Sequence, residues 1–485
     1  MFYSLQIAKT ALYSAQKALE VTGHNIANAN TPGYKRQRVV LSAVAPSGKD
    51  SALSDQKAMS GGGVQVTQIS RLTDKYLDIQ YRNETSLLNE LDIKNYSLKH
   101  MEGVFAEPSA YGISAALSEF FNSFDDLNNN PHEGIYREVA VQSAVKLTDT
   151  INNIAGEAIR FRQETNRNVT LITDRINDVA RKIAQLNDRI HYFEGSGKTA
   201  NDLRDERDLL IDQLSESVNI TVSEYQDGKI RISVGGTALV DGFEVNEVVV
   251  KPVSVCSYSG ESLYGVFWEK GGNQMAVKSG TLKGLLDVRD GLTADNKGIP
   301  YFLDRLDTLA KTIVQSFNEA NKKGYTLPFN DNPSVTGVDF FHPDMTTAAT
   351  MRVSDALTKS GYNIALSDKE VVEGYDFGNN KNTNSFFDVI NSKDITVDGA
   401  VTGGIRAYYQ KTVSDLAITT GFNANRLSSQ KVLTEYIQNQ RLSVSEVSID
   451  EEMINLVQFQ HAYSAAAQYI TVVDKLMEQL MGIIR

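Results

Sequence analysis

Gly195-Ser196-Gly197-Lys198-Thr199 is the segment of this 485-residue chain that comes nearest to a nucleotide-binding motif. A phosphate-binding loop needs Gly, four residues, then Gly-Lys-Ser/Thr on a strand-to-helix turn, so that backbone N–H groups cradle the phosphate. The first required glycine falls at position 192, which is Tyr192, and the preceding pattern is helical, so the segment reads as the turn of a helix hairpin. Asp202, Asp205, Glu206 and Asp208 offer clustered carboxylates, the type that does acid–base work or holds a divalent cation. Arg204 and Arg207 interleave with them, and alternating signs along one helix predict a solvated, ion-paired face. His24, His100, His132, His191, His342 and His461 contain no H-x-x-x-H pair, and Cys256 has no cysteine partner. No G-x-S-x-G elbow or G-x-G-x-x-G turn occurs. No catalytic, cofactor-binding or metal-ligating residue is therefore expected, and no cofactor.

Composition bounds the remaining classes. Hydrophobic residues make up 41% of the chain and charged residues 22%, enough for sizeable cores in about three domains of ~150 residues. A formal charge of -12 argues against nucleic acid as the main partner. One cysteine excludes an intramolecular disulfide, and in its Val-rich run Cys256 reads as a small core residue. No run of ~18 apolar residues predicts a membrane span. The N-terminus lacks the pattern of a cleaved secretory signal, so the chain reads as cytoplasmic unless export takes another route.

The strongest patterns lie at the two ends. Leu5, Ala8, Leu12, Ala15, Leu19 and Ile26 form one apolar line at helical spacing, with Thr22 its polar member. Leu442, Ile449, Leu456, Tyr463, Ile470, Met477 and Ile484 recur every seven residues, and Phe459, Ala466, Val473 and Leu480 run beside them. Narrow seams of this kind suit helix-on-helix packing. Termini fray unless tied down, so these are expected to pack on each other or on neighbouring subunits. The small residues of 462–467 permit close helix approach in either setting.

Between the ends, Asn28-Ala29-Asn30-Thr31-Pro32-Gly33-Tyr34 marks a stop and a turn. Short strands are expected at 39–44 and after Gly61-Gly62-Gly63, then helices through Phe105 and Leu127. A helix from about Gly134 to Phe193 follows, broken at Gly195 and returning through Leu203, Leu210 and Leu214 as an antiparallel hairpin. Asp227-Gly228 between apolar runs signals a β-hairpin. From about Ile405 the pattern is helical to the end. The expected fold class is mainly α with β-rich insertions, a nested multidomain chain with terminal coiled-coil helices, a long antiparallel helix bundle and a small outer β-rich domain. The expected domains are a terminal helical core of 1–35 plus 440–485; a long-helix domain of 36–324 plus 405–439, with a β-rich segment at 220–290; and a β-rich outer insert at 325–404. Asn- and Gly-rich composition marks that insert as a surface module, dispensable for axial contact.

Thr22-Gly23-His24-Asn25-Ile26-Ala27-Asn28-Ala29-Asn30-Thr31-Pro32-Gly33-Tyr34 resembles the N-terminal signature of bacterial flagellar rod, hook and hook-associated proteins. Gly61 to Val66, Ile69, Arg71, Asp74 and Gln80-Tyr81-Arg82 resemble the hook-associated protein 1 family in particular. So do the runs 200–208, 235–242 and 448–456, and Gln460-His461-Ala462-Tyr463. The likeness covers about 1–320 and 405–485 and is weakest over 325–404. It implies a structural adaptor between hook and filament, with terminal helices lining an axial core. It implies self-association, hook protein on one side, hook-associated protein 3 on the other, and a dedicated export chaperone at the C-terminal helix, with neither nucleic acid nor membrane as partner. It also implies an extracellular flagellar location, reached unfolded through the flagellar type III system without a cleaved signal peptide, which overrides the cytoplasmic reading. The expected subunit interface is the two seams together with Asn28, Thr31, Pro32, Gly33 and Tyr34.

Other functions compete. A hook or distal-rod subunit shares the N-terminal signature, but the 200–208 run and the long antiparallel helices argue against it. An enzyme on a helical stalk lacks a catalytic constellation, and an adhesin would not need paired terminal seams.

Overall fold

The computed structural model describes residues 2–44, 61–197, 199–225, 227–329, 332–372, 375–392, 396–397, 400–401 and 403–483. Helix α1 (Phe2–Ala27) leads through the Asn-Pro-Gly turn into an antiparallel ribbon of β1 (Gln37–Ala43) and β2 (Val64–Arg71). Gly63 enters β2 at φ +99°, with its backbone against α1; a Cβ there would lie 2.3 Å from the Thr10 hydroxyl. Asp74 caps α2 (Lys75–Phe105) by accepting from the Tyr76 and Leu77 amides, and α3 (Ile113–Asn129) follows.

Helix α4 (Gly134–Glu194) is 61 residues long, roughly 90 Å at 1.5 Å per residue, and carries no proline. Its apolar spacing buries Ile151, Val169, Ile176, Ile183 and Ile190 along one side. It breaks at Gly195, and α5 (Asn201–Ser217) returns beside it, as the spacing predicts. Next come β3 (Thr221–Glu224), β4 (Ile230–Val234), β5 (Thr237–Asp241) and β6 (Glu244–Val245), a four-stranded antiparallel meander. β7 (Val248–Val255) and β8 (Ser262–Trp268) form a second ribbon. Then follow α6 (Thr281–Asp290), the two-residue strands β9 (Leu292–Thr293) and β10 (Asn296–Lys297), and α7 (Ile299–Lys323).

Three asparagines that the hydrophobic pattern does not reveal fix these strands to α4. Asn166 donates to Ser262 O and accepts from Tyr264 N on β8; Asn177 makes the same exchange with Val248 O and N on β7, at 2.7 and 2.9 Å. Asn187 donates to Gly242 O in the turn after β5. Each amide satisfies buried backbone groups at a strand end, where no neighbouring strand is available to do so.

The 325–404 segment departs from expectation. It contains α8 (Asp355–Lys359), α9 (Thr383–Ile390), isolated bridges and only the two-residue strands β11 (Thr396–Val397) and β12 (Ala400–Val401) among its described residues. Nor does it stand apart. Phe340, Phe341, Met351, Leu366 and Phe386 are wholly buried in one cluster with Phe120 and Phe124 of α3 and Phe317 of α7. The Phe386 ring lies 4.8 Å from that of Phe124. Asparagine again replaces the strand ladder: Asn318 pairs with both backbone groups of Phe341, and Asn321 joins Val338 O and Ala365 N. These two asparagines belong to α7, and within the segment Asn382 adds donations to Ala320 O and Ala365 O.

Helix α10 (Ile405–Ser445) and helix α11 (Ile449–Ile483) complete the chain. They are separate, correcting the expectation of one continuous helix. Glu446 takes an extended conformation, and the Ser448 hydroxyl accepts from the Glu451 amide at 3.4 Å, the S-x-x-E start signal of a new helix. Leu442 therefore belongs to α10, and the seven-residue series crosses a break.

Candidate functional site

Helices α1 and α11 pack antiparallel, with Asn25 at the end of α1 against Glu452 at the start of α11. On α1 the buried line is made of small or polar residues, Ala8, Ala15, Ala18, Thr22 and Asn25, while Leu5, Leu12, Leu19 and Ile26 are half-buried beside it. On α11, Glu452, Ala466 and Val473 are buried, and Leu456, Phe459, Ile470 and Met477 are half-buried. Ile449 and Tyr463 remain exposed. The secondary line through Phe459, Ala466 and Val473 thus faces α1 more closely than the seven-residue series. Ile484 and the Leu480 side chain lie outside the described residues.

The turn after α1 folds back beneath this pair. Asn28 donates to His24 O, the Thr31 amide to Asn28 O, and the Tyr34 amide to Thr31 O. Thr31, Pro32 and Gly33 are exposed. Gly33 has φ +81°, and a Cβ would come within 3.2 Å of Leu209 on α5. This brings Tyr34, Lys35, Arg36 and Gln37 under the end of α1.

Asn25, 1% exposed, is the hub. Its Nδ2 donates to Gln37 O at 2.8 Å and Glu452 Oε2 at 3.0 Å; its Oδ1 accepts from Tyr34 OH at 2.7 Å and Gln37 N at 3.0 Å. All four hydrogen-bonding capacities of the amide are used. Burial pushes the Tyr34 phenol up, and Asp202, Asp205 and Glu452 add to that, so it stays protonated as the donor. Arg36 closes the other side, donating at 2.7 Å to both Glu451 and Glu452 while its amide bonds Ser445 O.

Below the hub lies an ion-pair network assembled from five segments. Lys35 Nζ meets Asp208 at 2.9 Å and Asp78 at 3.5 Å. Arg71 from β2 bridges Asp205 and Asp208 at 2.7 and 2.8 Å. Arg82 from α2 and Arg441 from α10 share Asp212, and Arg441 also pairs with Asp78. Burial pushes the Asp208 carboxyl up, but Lys35, Arg71 and Arg82 outweigh it and hold it below the usual carboxylate range. At Asp205 burial prevails over Arg71 and holds the carboxyl above that range. Asp205 and Asp208 are thus ion-paired as expected but enclosed rather than solvated, by partners from far along the chain, and Arg207 is buried against Asn187 Oδ1 and Gly228 O. Among the described residues no group of three or more His, Cys, Asp or Glu forms a metal-binding set.

Residues 98–341 match the model of the flagellar hook-associated protein FlgK helical domain. Residues 5–35 match that of the flagella basal body rod protein, and 438–483 that of the flagellar basal body rod FlgEFG protein C-terminal. Flagellar hook-associated protein 1 of Bacillus subtilis is 32% identical, over 99% of this chain and 98% of its own. The chain belongs to the flagellar hook-associated protein 1 family. The family's proteins from Salmonella typhimurium and Escherichia coli are 24% and 23% identical, each over 98% of this chain. The flagellar hook junction protein FlgK from Burkholderia pseudomallei has the same fold, with a TM-score of 0.61 at 15% identity over 76% of this chain and all of that one. As a hook-associated protein 1 family member, the chain is a structural component of the flagellum and not an enzyme. The two rod-type matches coincide with the partners of the joint: α1 with its turn through Lys35, and the end of α10 with α11.

Proposed function

We propose that this chain is the adaptor that joins hook to filament, and that its subunits assemble by coaxial packing of the α1–α11 pairs. The observation that supports this best is the outer face of α11. From Met453 to Val473 no Asp, Glu, Lys or Arg occurs, and Met453, Ile454, Val457, Tyr469 and Val472 are exposed. A helix already packed on one side that keeps a second apolar, uncharged face invites further helices. In this reading 1–35 plus 440–485 is the assembling unit, and 36–324 plus 405–439 carries it. Hook protein lies on one side and hook-associated protein 3 on the other. An export chaperone covers the α11 face before secretion through the flagellar type III route.

Ile454 is 68% exposed in the single chain, so Ile454→Asp leaves the fold intact and tests assembly alone. Burying an unpaired carboxylate in a subunit contact costs several kcal/mol. The variant is expected to be exported and to melt like the parent, yet be absent from hook tips by immunogold labelling and support no filament. Normal swimming would refute the reading.

A further inference from the structure

Helix α10 is polar on the side it buries and apolar on the side it shows. From Ile418 to Ser445 its buried side chains, turned toward α2, are Thr420, Gln430, Thr434, Ile437, Arg441 and Ser445, of which only Ile437 is apolar. The three hydroxyls donate to the carbonyl four residues back, Gln430 bonds Glu84 and Arg441 bonds Asp78, so polar contacts hold this seat. The exposed large apolar residues of the same stretch are Ile418, Phe422, Val432, Leu433, Tyr436 and Val444. At ~100° per residue they fall within an arc of about 120°, centred about 130° from the buried one. Every other residue in that arc is uncharged except Arg426 at its edge. Apolar burial drives helix packing, so a helix inverted in this way turns its driving face toward a partner outside the single chain.

Size, continuity and charge identify that partner. The stripe is roughly 40 Å long and ~10 Å wide, about 400 Å². A stable interface takes ~800 Å² from each partner, so the stripe holds nothing by itself and works only as an extension of a contact made elsewhere. Such a contact adjoins it: past Val444 the exposed apolar series resumes at Ile449 and Met453 of α11, the face through which copies of the chain stack in the coaxial reading. From Leu416 to Thr434 α10 carries no Asp or Glu, and Arg426 and Lys431 are exposed, so an acidic copy with a formal charge of -12 is attracted there. At the start of the stripe Ile418 stands between two clefts of about 350 and 390 Å³, both bordered by Ala294 and Lys297, with room for a neighbour's side chains. We propose that the outer face of α10, from Ile418 to Val444, docks on a second copy of this chain and extends the α11 contact outward from the axis. This deepens the coaxial reading and rests on it for the identity of the neighbour.

The test uses the full chain in cells, with the photo-cross-linker p-benzoylphenylalanine placed at Val432 and, separately, at Ile454 of α11. Irradiated flagella should yield a covalent dimer of this chain from both positions. An adduct of another flagellar protein at 432, or none there while 454 gives the dimer, overturns the inference and leaves the coaxial reading standing. A dimer from 432 alone does the reverse, and no dimer from either position refutes both. Val432 is 65% exposed, so Val432→Asp leaves the fold intact. That variant should be exported and melt like the parent, while its occupancy of hook tips by immunogold labelling falls about tenfold or more. Occupancy equal to the parent's overturns the inference.

Discussion

Asn25→Ala should uncouple the terminal helix pair from the rest of the chain without unfolding it. The substitution removes four hydrogen bonds and orphans groups of unequal cost. The Tyr34 hydroxyl is half-buried and can turn to water, and Glu452 keeps Arg36. The amide and carbonyl of Gln37 are buried and lose their side-chain partner. A buried polar group left unpaired costs about 1–3 kcal/mol, so two give about 2–6 kcal/mol, with ~3 kcal/mol a fair central value after relaxation. At 1.4 kcal/mol per tenfold, that is roughly a hundredfold increase in local opening. Native-state hydrogen exchange reads this directly: amides of α1 and of 34–40 should exchange about a hundredfold faster, while α4 and α7 core amides are unchanged. Asn25→Asp should be no better, since it sets a carboxylate against Glu452. Unchanged exchange in α1 would refute the role of Asn25 as hub. A uniform rise across α4 and α7 would instead show that joint and body open as one unit.

Acid should release the network late. The depressed carboxyl of Asp208 contributes stability that is complete above its ordinary unfolded value near ~3.9 and is lost as pH falls from there toward the lower folded value. Asp205, raised by burial, has the opposite sign, since protonating it favours the fold. Loss should therefore begin only below about pH 4 in a circular-dichroism titration, and Asp208→Asn should cost about 3–5 kcal/mol at neutral pH while flattening that acid limb. Phe386→Ala, emptying a wholly buried ring site, should cost about 3–5 kcal/mol and lower the main calorimetric transition, and deletion of 325–404 should yield no soluble fold; a soluble, native-like deletion variant would restore the separable-module view. Gly63→Ala meets both a left-handed φ and the Thr10 hydroxyl, so α1 should become more sensitive to limited proteolysis than in the parent.

The long helix, its return and the pairing partners at the two ends were readable because each buries an apolar face at a spacing that only a helix satisfies. The joint was half readable. Its motifs stand in the sequence at 22–37, 200–208 and 448–456, but their meeting point does not. Alternating Asp and Arg look the same on a wet face and in a buried network; what separates them are Lys35, Arg71, Arg82 and Arg441, scattered over most of the chain. The break before α11 did carry a local signal in Ser448 and Glu451, masked by a seven-residue series that ran across it. The 325–404 segment misled for a different reason. Asn382 looks polar and therefore external, yet it satisfies the buried carbonyls of Ala320 and Ala365, and the segment's other backbone partners, Asn318 and Asn321, stand before it on α7.

Asn166, Asn177 and Asn187 make α4 a ruler. Asn166 and Asn177 stand eleven residues apart, close to three whole turns, so their amides point to one side and meet β8 and β7 at fixed heights, while Asn187, ten residues on and about 80° round the helix, reaches the turn after β5. Adding a single residue between Asn166 and Asn177 would swing everything beyond it by about 100°, turning two of the three amides away from their strands. Adding eleven would restore the side and move the meander bodily along the rod. A change in the length of α4 between Asn166 and Asn177 therefore keeps both amides on their strands' side only when the added residues make nearly whole turns, such as about seven, eleven or eighteen.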